Sequence, residues 1–136
     1  MKAASLDLPY KFDVLVLELG ILHYHQDIEQ FFSIMRHLVA DDGVLILNEF
    51  HPMQRKIRWK DGPQDYFSSD LVEADVPNPD IVGGSLGKCL YRFWTLSETF
   101  TALMKSGFQI TKFEEHPDWD DQKLPGTFTV LAQATR

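Results

Sequence analysis

The chain has 136 residues, of which 44% are hydrophobic and 24% are charged, and its formal net charge is −7. This length suits one domain with a real core. The acidic balance argues against broad nucleic-acid binding, which needs a basic surface. No apolar run approaches the ~18 to 20 residues that a membrane span requires. The single cysteine, Cys89, excludes an internal disulfide framework and favours a reducing cytoplasm.

The first half of the chain has the pattern of a strand, a helix and a second strand. Residues 12–19 (FDVLVLEL) form a nearly continuous apolar run, which is typical of a strand buried on both faces in a parallel sheet. Asp27 predicts a helix start, since Gln30 lies three residues on at the capping-box position. Residues 41–43 (DDG) predict a turn, and residues 44–47 predict the next strand. This order is a βαβ unit.

Residues 52–94 differ from both neighbours. They contain most of the prolines and a glycine cluster at 83–87, and they predict a long excursion that acts as a lid or substrate cap. Short strands are predicted at residues 66–67 and 90–94. The basic stretch 55–60 (RKIRWK) is interpreted as a solvated surface.

The last third predicts a helix and two strands. Thr95 and Glu98 have capping-box spacing, and Gly107 is the stop signal. Strands are predicted at 108–113 and 127–134. Because crossovers of one hand that move in one direction put both helices on the same face, the other face has no helix of its own. That face and the edge of the first strand need a cover: missing N-terminal elements, another copy of the chain, or the folded-back excursion.

Several segments resemble class I S-adenosylmethionine-dependent methyltransferases of the small-molecule type. Residues 12–24 (FDVLVLELGILHY) resemble that family's fourth-strand region, and residues 38–47 resemble the segment that enters its fifth strand. Residues 6–10 resemble its lead-in, and residues 91–98, followed by Gly107 and Phe108, resemble its last helix and sixth strand. The resemblance implies an α/β fold: a partial Rossmann-like sheet of parallel strands with crossover helices and a terminal antiparallel strand, in one partial domain over residues 1–136.

The sequence departs from this family at the cofactor site. Family members carry a glycine-rich loop after their first strand, which approaches the methionine part of the cofactor, and an acid after the second strand, which holds the ribose hydroxyls. Neither region is found here. The resemblance therefore implies a carboxyl-terminal half only, with weak or absent binding of S-adenosylmethionine by this chain alone and no activity by itself.

Candidate site residues cluster just past the predicted strands. Ligands of open α/β sheets bind outside the carboxyl ends of parallel strands. Histidine is a suitable base near neutral pH, and arginine suits an anionic group. The resemblance adds that the loop after the first strand lines the methionine side of the cofactor. The candidates are His51, Glu49 and His23 as catalytic residues, Tyr24, Arg92, Trp94 and His116 as substrate-binding residues, and Leu19, Gly20 and Ile21 as cofactor-binding residues.

Three functions remain open on the sequence. The first is part of a cytoplasmic small-molecule methyltransferase that pairs with a missing N-terminal half. The second is a non-enzymatic remnant that persists as a homodimer. The third is a metal-dependent enzyme, because His23, Glu49, His51 and His116 are donor types that zinc or iron accept. Their separation gives no ligand-spacing signature, so no metal is expected.

Overall fold

The computed structural model describes residues 8–136. Residues 6 and 7 of the predicted lead-in lie outside them. Between the strands and helices lie a 3-10 turn at Leu22–Tyr24 and a π-helical turn at Met53–Arg58. The helices and strands in chain order are β1 (Phe12–Glu18), α1 (Ile28–Leu38), β2 (Val39–Phe50), β3 (Val72–Pro77), β4 (Ser85–Tyr91), α2 (Leu96–Lys105), β5 (Phe108–Pro117) and β6 (Pro125–Ala134).

The main sheet has four strands in the order β1-β2-β6-β5. Strands β1 and β2 are parallel, whereas β6 is antiparallel to both of its neighbours, β2 and β5. Strand β5 therefore runs in the same direction as β1 and β2. The predicted partial Rossmann-like sheet, with its terminal antiparallel strand, is confirmed.

Both helices pack on one face of this sheet, as predicted. Phe32 of α1 and Leu103 of α2 lie in one buried cluster with Leu45 of β2 and Val130 of β6. Each helix places an apolar stripe on the strands because its buried residues recur at helical spacing. The core of the domain therefore lies between the helices and a single face of the sheet.

The opposite face and the β1 edge are open in residues 8–136. Val14 and Val16 on β1 are 54% and 58% exposed. Their partners across the parallel ladder, Val44 and Ile46, are half-buried. The prediction that the first strand lies at an uncovered edge is confirmed. The prediction that this strand is buried on both faces is wrong, because Leu17 is its only buried residue and an edge strand of a sheet with helices on one face is covered on one side only.

The predicted helix starts are confirmed by their capping hydrogen bonds. Asp27 Oδ1 accepts a hydrogen bond from Gln30 N at 2.8 Å. Thr95 and Glu98 form a complete capping box, in which each side chain accepts from the other's backbone N–H. Within residues 8–136, no helix is long and apolar enough to cross a bilayer.

Two strand predictions and one turn prediction are wrong. Strand β2 begins at Val39, directly after α1, and residues 41–43 form an irregularity inside it, with Asp42 at φ 64°. Residues 66–67 form a turn instead of a strand. The strand predicted at 90–94 overlaps only the last two residues of β4, whose first residue is Ser85. Propensity failed at these points because tertiary pairing sets strand bounds.

The excursion forms a small unit of its own. Strands β3 and β4 pair as an antiparallel hairpin, and Ala74, Tyr91 and Phe93 form a second small core with Trp59 packed against it. Arg92 N donates to His23 O at 3.0 Å, which attaches the hairpin to the loop after β1. Its role as a lid or cap stays a prediction.

The basic stretch is solvated only in part, which corrects the sequence interpretation: Arg58 and Lys60 are exposed, whereas Lys56 is buried. Lys56 has 0% exposure, and its Nζ donates to Ser68 O at 2.7 Å and to Phe93 O at 3.0 Å. Burial lowers the pKa of Lys56 from its usual value. Through these hydrogen bonds Lys56 holds the π-helical turn next to the segment that leads into α2.

Candidate functional site

The carboxyl ends of β1 and β2 meet at one edge of the sheet because these strands are parallel and in register, with Glu18 opposite Asn48. The loop after β1 and the π-helical turn after β2 both rise from this edge. The start of the segment after β4 completes it, since Arg92 N bonds to His23 O. Three chain segments thus enclose the space where an α/β site is expected.

A cavity of about 310 Å³ opens between these segments, near the lower end of the roughly 300 to 1,000 Å³ typical of small-molecule sites. Its wall is mostly aromatic. The rings of Tyr91 and Phe93 are stacked, with centroids 5.9 Å apart. The Trp59 ring lies 5.5 Å from Phe93, and Tyr24 lies 5.3 Å from Tyr91. The Trp59 ring meets Tyr91 and Phe93 edge-on, at 88° and 76°, so the wall offers apolar ring faces and ring edges to a ligand.

His23 lies in this wall. Its ring centroid is 5.1 Å from that of Tyr91 and 4.5 Å from that of Tyr24. Burial, together with the nearby positive charge of Arg55, lowers the pKa of His23 to about 4. The imidazole is therefore neutral near pH 7. It can accept a hydrogen bond from a ligand hydroxyl, but it is a weak base.

Glu49 lies beside the cavity and is 4% exposed. Its Oε1 accepts from Gly20 N and Phe50 N, each at 2.7 Å, and its Oε2 accepts from Ile21 N at 2.9 Å and Leu22 N at 3.1 Å. Both oxygens are engaged by backbone donors that would otherwise be unpaired. This geometry makes Glu49 the anchor of the loop after β1 and leaves no oxygen free to act as a base.

Gly20 has the backbone geometry that this anchoring requires. Its φ is +84°, a conformation that glycine adopts without strain. A Cβ at this position would also lie 3.3 Å from His23 Cε1. The glycine thus lets the loop turn sharply over the Glu49 carboxylate while His23 stays in the cavity wall.

His51 points away from the cavity. Its Nδ1 accepts from Met53 N at 3.1 Å, so its ring proton lies on Nε2, which is 2.9 Å from Glu115 Oε1. The ring also packs edge-on against Phe128. His51 therefore ties the end of β2 to β5, and neither ring nitrogen is open to a ligand.

The predicted substrate residues are dispersed. Arg92 is buried and pairs with Glu98 at 2.7 Å, with its guanidinium 4.1 Å over the Trp94 ring. Trp94 Nε1 donates to Leu22 O at 3.3 Å. His116 Nε2 lies 2.9 Å from Thr129 Oγ1, on the helix-free face. Of the four residues, Tyr24 alone lines the aromatic cavity.

Sequence reasoning missed Arg55, Trp59 and Tyr91 as cavity residues. Arg55 and Trp59 lie in the stretch that was interpreted as a solvated surface. The signal that could have found them is position, because this stretch follows directly on the carboxyl end of a buried strand. Tyr91 directly precedes the candidate Arg92 in the chain, and burial raises the pKa of Tyr91 to about 12, so its hydroxyl stays protonated.

The proposed metal donors do not converge. Glu49, His51 and His116 each have partners of their own, in three different places. Over residues 8–136, no group of three or more histidine, cysteine, aspartate or glutamate side chains is arranged to hold a metal ion.

This chain matches no known protein-family model and none of the curated proteins. Solved structures do match it. An S-adenosylmethionine-dependent methyltransferase from Listeria monocytogenes is 17% identical with a TM-score of 0.70, and the match covers 93% of this chain and 62% of that one. For a second such enzyme, from Clostridium acetobutylicum, the identity is 12%, the TM-score 0.66 and the coverage 96% and 61%.

A third match has a defined substrate in its own structure. It is the 1,6-didemethyltoxoflavin N1-methyltransferase of Burkholderia thailandensis, solved with 1,6-didemethyltoxoflavin and S-adenosylhomocysteine. It is 17% identical with a TM-score of 0.59, and the match covers 97% of this chain and 48% of that one. The chain spans less than two thirds of the length of each of the three. Its fold is that of S-adenosylmethionine-dependent methyltransferases, as the resemblance implied.

The described residues do not complete a site for S-adenosylmethionine. Leu19 and Gly20 line the cavity, which agrees with contact on one side of a cofactor. However, the N–H groups of Gly20, Ile21 and Leu22 all donate to Glu49, so these three residues have no backbone donor left for a ligand. What residues 8–136 do provide is the aromatic cavity beside that loop.

Proposed function

We propose that this chain forms the acceptor-binding part of an S-adenosylmethionine-dependent methyltransferase that acts on a small molecule in the cytoplasm. The observation that carries the proposal is the aromatic cavity at the carboxyl edge of parallel strands, in a chain with the methyltransferase fold. In this proposal most cofactor contacts come from outside residues 8–136, because the loop donors at 20–22 are already engaged.

The chain's own contribution is positioning. The aromatic wall orients the acceptor, and holding a reacting group in place lowers the entropic part of its barrier. The neutral imidazole of His23 can accept a hydrogen bond from the acceptor's hydroxyl and so fix its direction. Glu49 acts indirectly as a positioning residue, since it holds the loop that carries His23.

Calorimetry with S-adenosylmethionine tests this proposal on the full-length gene product. We expect saturable binding there, and much weaker or no binding to residues 1–136 alone. If circular dichroism shows that the full-length protein is folded and calorimetry shows no 1:1 binding of S-adenosylmethionine, the proposal is overturned.

A second candidate is a non-enzymatic protein that pairs through its open sheet edge. Exposed Val14 and Val16 on edge strand β1 favour it, because a long apolar edge invites strand pairing. Light scattering should then report a dimer. Val16→Lys should convert it to a monomer, whereas Leu86→Lys, on an equally exposed residue of the β3–β4 hairpin, should not. A monomeric mass for the unmodified chain would remove this candidate.

A further inference from the structure

Arg55 differs from the other four arginines of the chain. Each of those four lies within ion-pair distance of a carboxylate, as is usual for arginine held against a protein surface. The four pairings are Arg36 with Asp41, Arg58 with Asp118 and Asp121, Arg92 with Glu98, and Arg136 with Asp42.

The Arg55 guanidinium has no such partner among residues 8–136. Its Nε is buried and makes no hydrogen bond. Among the groups that raise the pKa of Arg55, the Glu49 charge has the largest effect. However, both Glu49 oxygens are engaged by backbone N–H groups. A partly buried cation without a hydrogen-bond acceptor costs free energy and therefore needs an explanation.

The place of Arg55 in the cavity supplies that explanation. Its Cζ lies 3.6 Å above the Phe50 ring and 5.7 Å from the Trp59 ring, so stacking fixes the plane of the guanidinium. Stacking occupies the face of the guanidinium rather than its edge, and Arg55 is one of the residues that line the cavity. A planar fork of donors matches the two oxygens of a carboxylate.

The aromatic residues of the cavity wall indicate the kind of ligand that would fit beside Arg55. Tyr91, Phe93 and Trp59 form a contiguous aromatic surface, with centroid separations of 5.5 to 6.1 Å. Such rings favour offset-stacked or edge-to-face contact with another ring. An aromatic wall alone would also suit an ammonium group, but the positive charge of Arg55 disfavours a second cation. The acidic side chain at the cavity, Asp75, is exposed and is 3.3 Å from Ser85 Oγ.

We propose that this cavity binds a methyl acceptor that carries a carboxylate on an aromatic ring, with the carboxylate paired to Arg55 and the ring stacked on the aromatic wall. The role of this ligand as a methyl acceptor rests on the proposed function. The binding site for an aromatic carboxylate rests on the contacts of Arg55 itself.

Calorimetry with 4-hydroxybenzoate, and with its uncharged counterpart 4-hydroxybenzamide, tests the inference on the full chain. We expect the carboxylate to bind roughly tenfold or more tightly than the amide, because a charge-assisted pair is lost in the amide. Arg55→Met should reduce the affinity for 4-hydroxybenzoate to that for the amide. Arg58→Met is the matched control, since it removes an arginine of the same turn that is paired with Asp118 and Asp121, and it should retain the preference.

A second measurement needs no variant. Binding of 4-hydroxybenzoate to the unmodified protein neutralises the Arg55 charge, so the pKa of His23, followed by NMR, should rise when this ligand is added and should not rise with 4-hydroxybenzamide. Equal affinities for acid and amide, no binding of the acid, or equal losses in the Arg55 and Arg58 variants would each overturn the inference.

The two proposals can fail separately. Arg55-dependent binding of 4-hydroxybenzoate without any binding of S-adenosylmethionine by the full-length gene product would keep the carboxylate site and remove the methyltransferase function. Cofactor binding with no preference for the carboxylate would do the reverse.

Discussion

Two regions of the carboxyl edge differ in whether their polar and charged groups have hydrogen-bond partners. Below the cavity, Glu49, His51 and Arg92 have their polar atoms engaged by backbone groups or by other side chains. In the cavity wall, Arg55 has aromatic neighbours and no hydrogen-bond partner for its guanidinium within residues 8–136. The two regions are joined through Phe50, which lies between Glu49 and His51 in the chain.

This difference separates two roles of a polar residue just past a strand end: one satisfies the backbone of the fold, and the other binds a ligand. The loop after β1 leaves its backbone N–H groups without ladder partners, and buried donors must be satisfied. Glu49 meets that need, so its polarity is used by the fold. The Arg55 guanidinium satisfies no backbone group among residues 8–136, so its charge remains available to a ligand. Variants of the two kinds should therefore behave differently in stability measurements.

Glu49→Gln should have the largest effect on stability. The amide NH₂ would replace an acceptor and face backbone donors, and the charge-assisted bonds would be lost. We expect the free energy of unfolding in urea to fall by about 3 to 4 kcal/mol.

Glu115→Gln is the control for this loss. Glu115 is a half-exposed partner of His51, and its change should cost less than about 1 kcal/mol. If Glu49→Gln left the stability within that same range, Glu49 would not be the anchor of the loop, and its role as a catalytic base would return.

Acid should weaken the fold through His23. Its pKa is about 4 in the folded chain against an ordinary 6.5, so the unfolded state binds more protons between these values. The contribution is fully present above pH 6.5 and is lost as pH falls towards 4, by up to about 3 kcal/mol. Urea titrations across this range should show it.

His23→Gln isolates this contribution from other titrating groups. The difference in pH dependence between the variant and the unmodified chain gives the His23 contribution directly. Parallel stability curves for the two proteins between pH 6.5 and 4 would show that His23 is not held neutral in the cavity wall.

Arg92→Met should cost about 2 kcal/mol, because it leaves Glu98 without its partner and removes the stacking on Trp94. Urea unfolding measures the cost. The same variant separates structure from binding, since the sequence suggested Arg92 as the holder of an anionic substrate group. Unchanged stability together with lost affinity for 4-hydroxybenzoate would support that suggestion over Arg55.

The sheet and helices could be predicted because their signals are local. Residues 12–19 are mostly apolar, and Asp27 and Thr95 carry capping signals that the structure uses. The parallel strands with a terminal antiparallel strand followed from the family resemblance. The open face followed from the one-sided placement of the helices, and the open β1 edge followed from the position of β1 as the leading strand. These features depend on periodicity and chain direction, which a sequence displays.

The site was harder to predict because it depends on which polar atoms already have partners. Glu49 and His51 look like a catalytic pair in sequence, yet their bonds to residues 20–22 and to Glu115 are contacts between distant segments. Arg55 looks like part of a solvated basic run, yet it stacks on Phe50. Sequence identifies the edge where a site forms, whereas tertiary pairing decides which side chains remain free.

Arg55→Met should have the smallest effect on stability and thus gives the sharpest contrast with Glu49. The methionine keeps the apolar stem on Phe50, and removal of an unpaired cation relieves its desolvation cost. Loss of the cation–π contact offsets part of that gain. We expect the free energy of unfolding to stay within about 1 kcal/mol of the unmodified value, or to rise.

The same variant should raise the pKa of His23, since the Arg55 charge is one of the two causes that lower it. NMR titration of the imidazole measures this rise. Arg58→Met, whose arginine pairs with Asp118 and Asp121, should leave the His23 titration unchanged. A loss of more than about 2 kcal/mol in Arg55→Met would instead place Arg55 with Glu49 among the residues that the fold requires, and the contrast between the two regions would disappear.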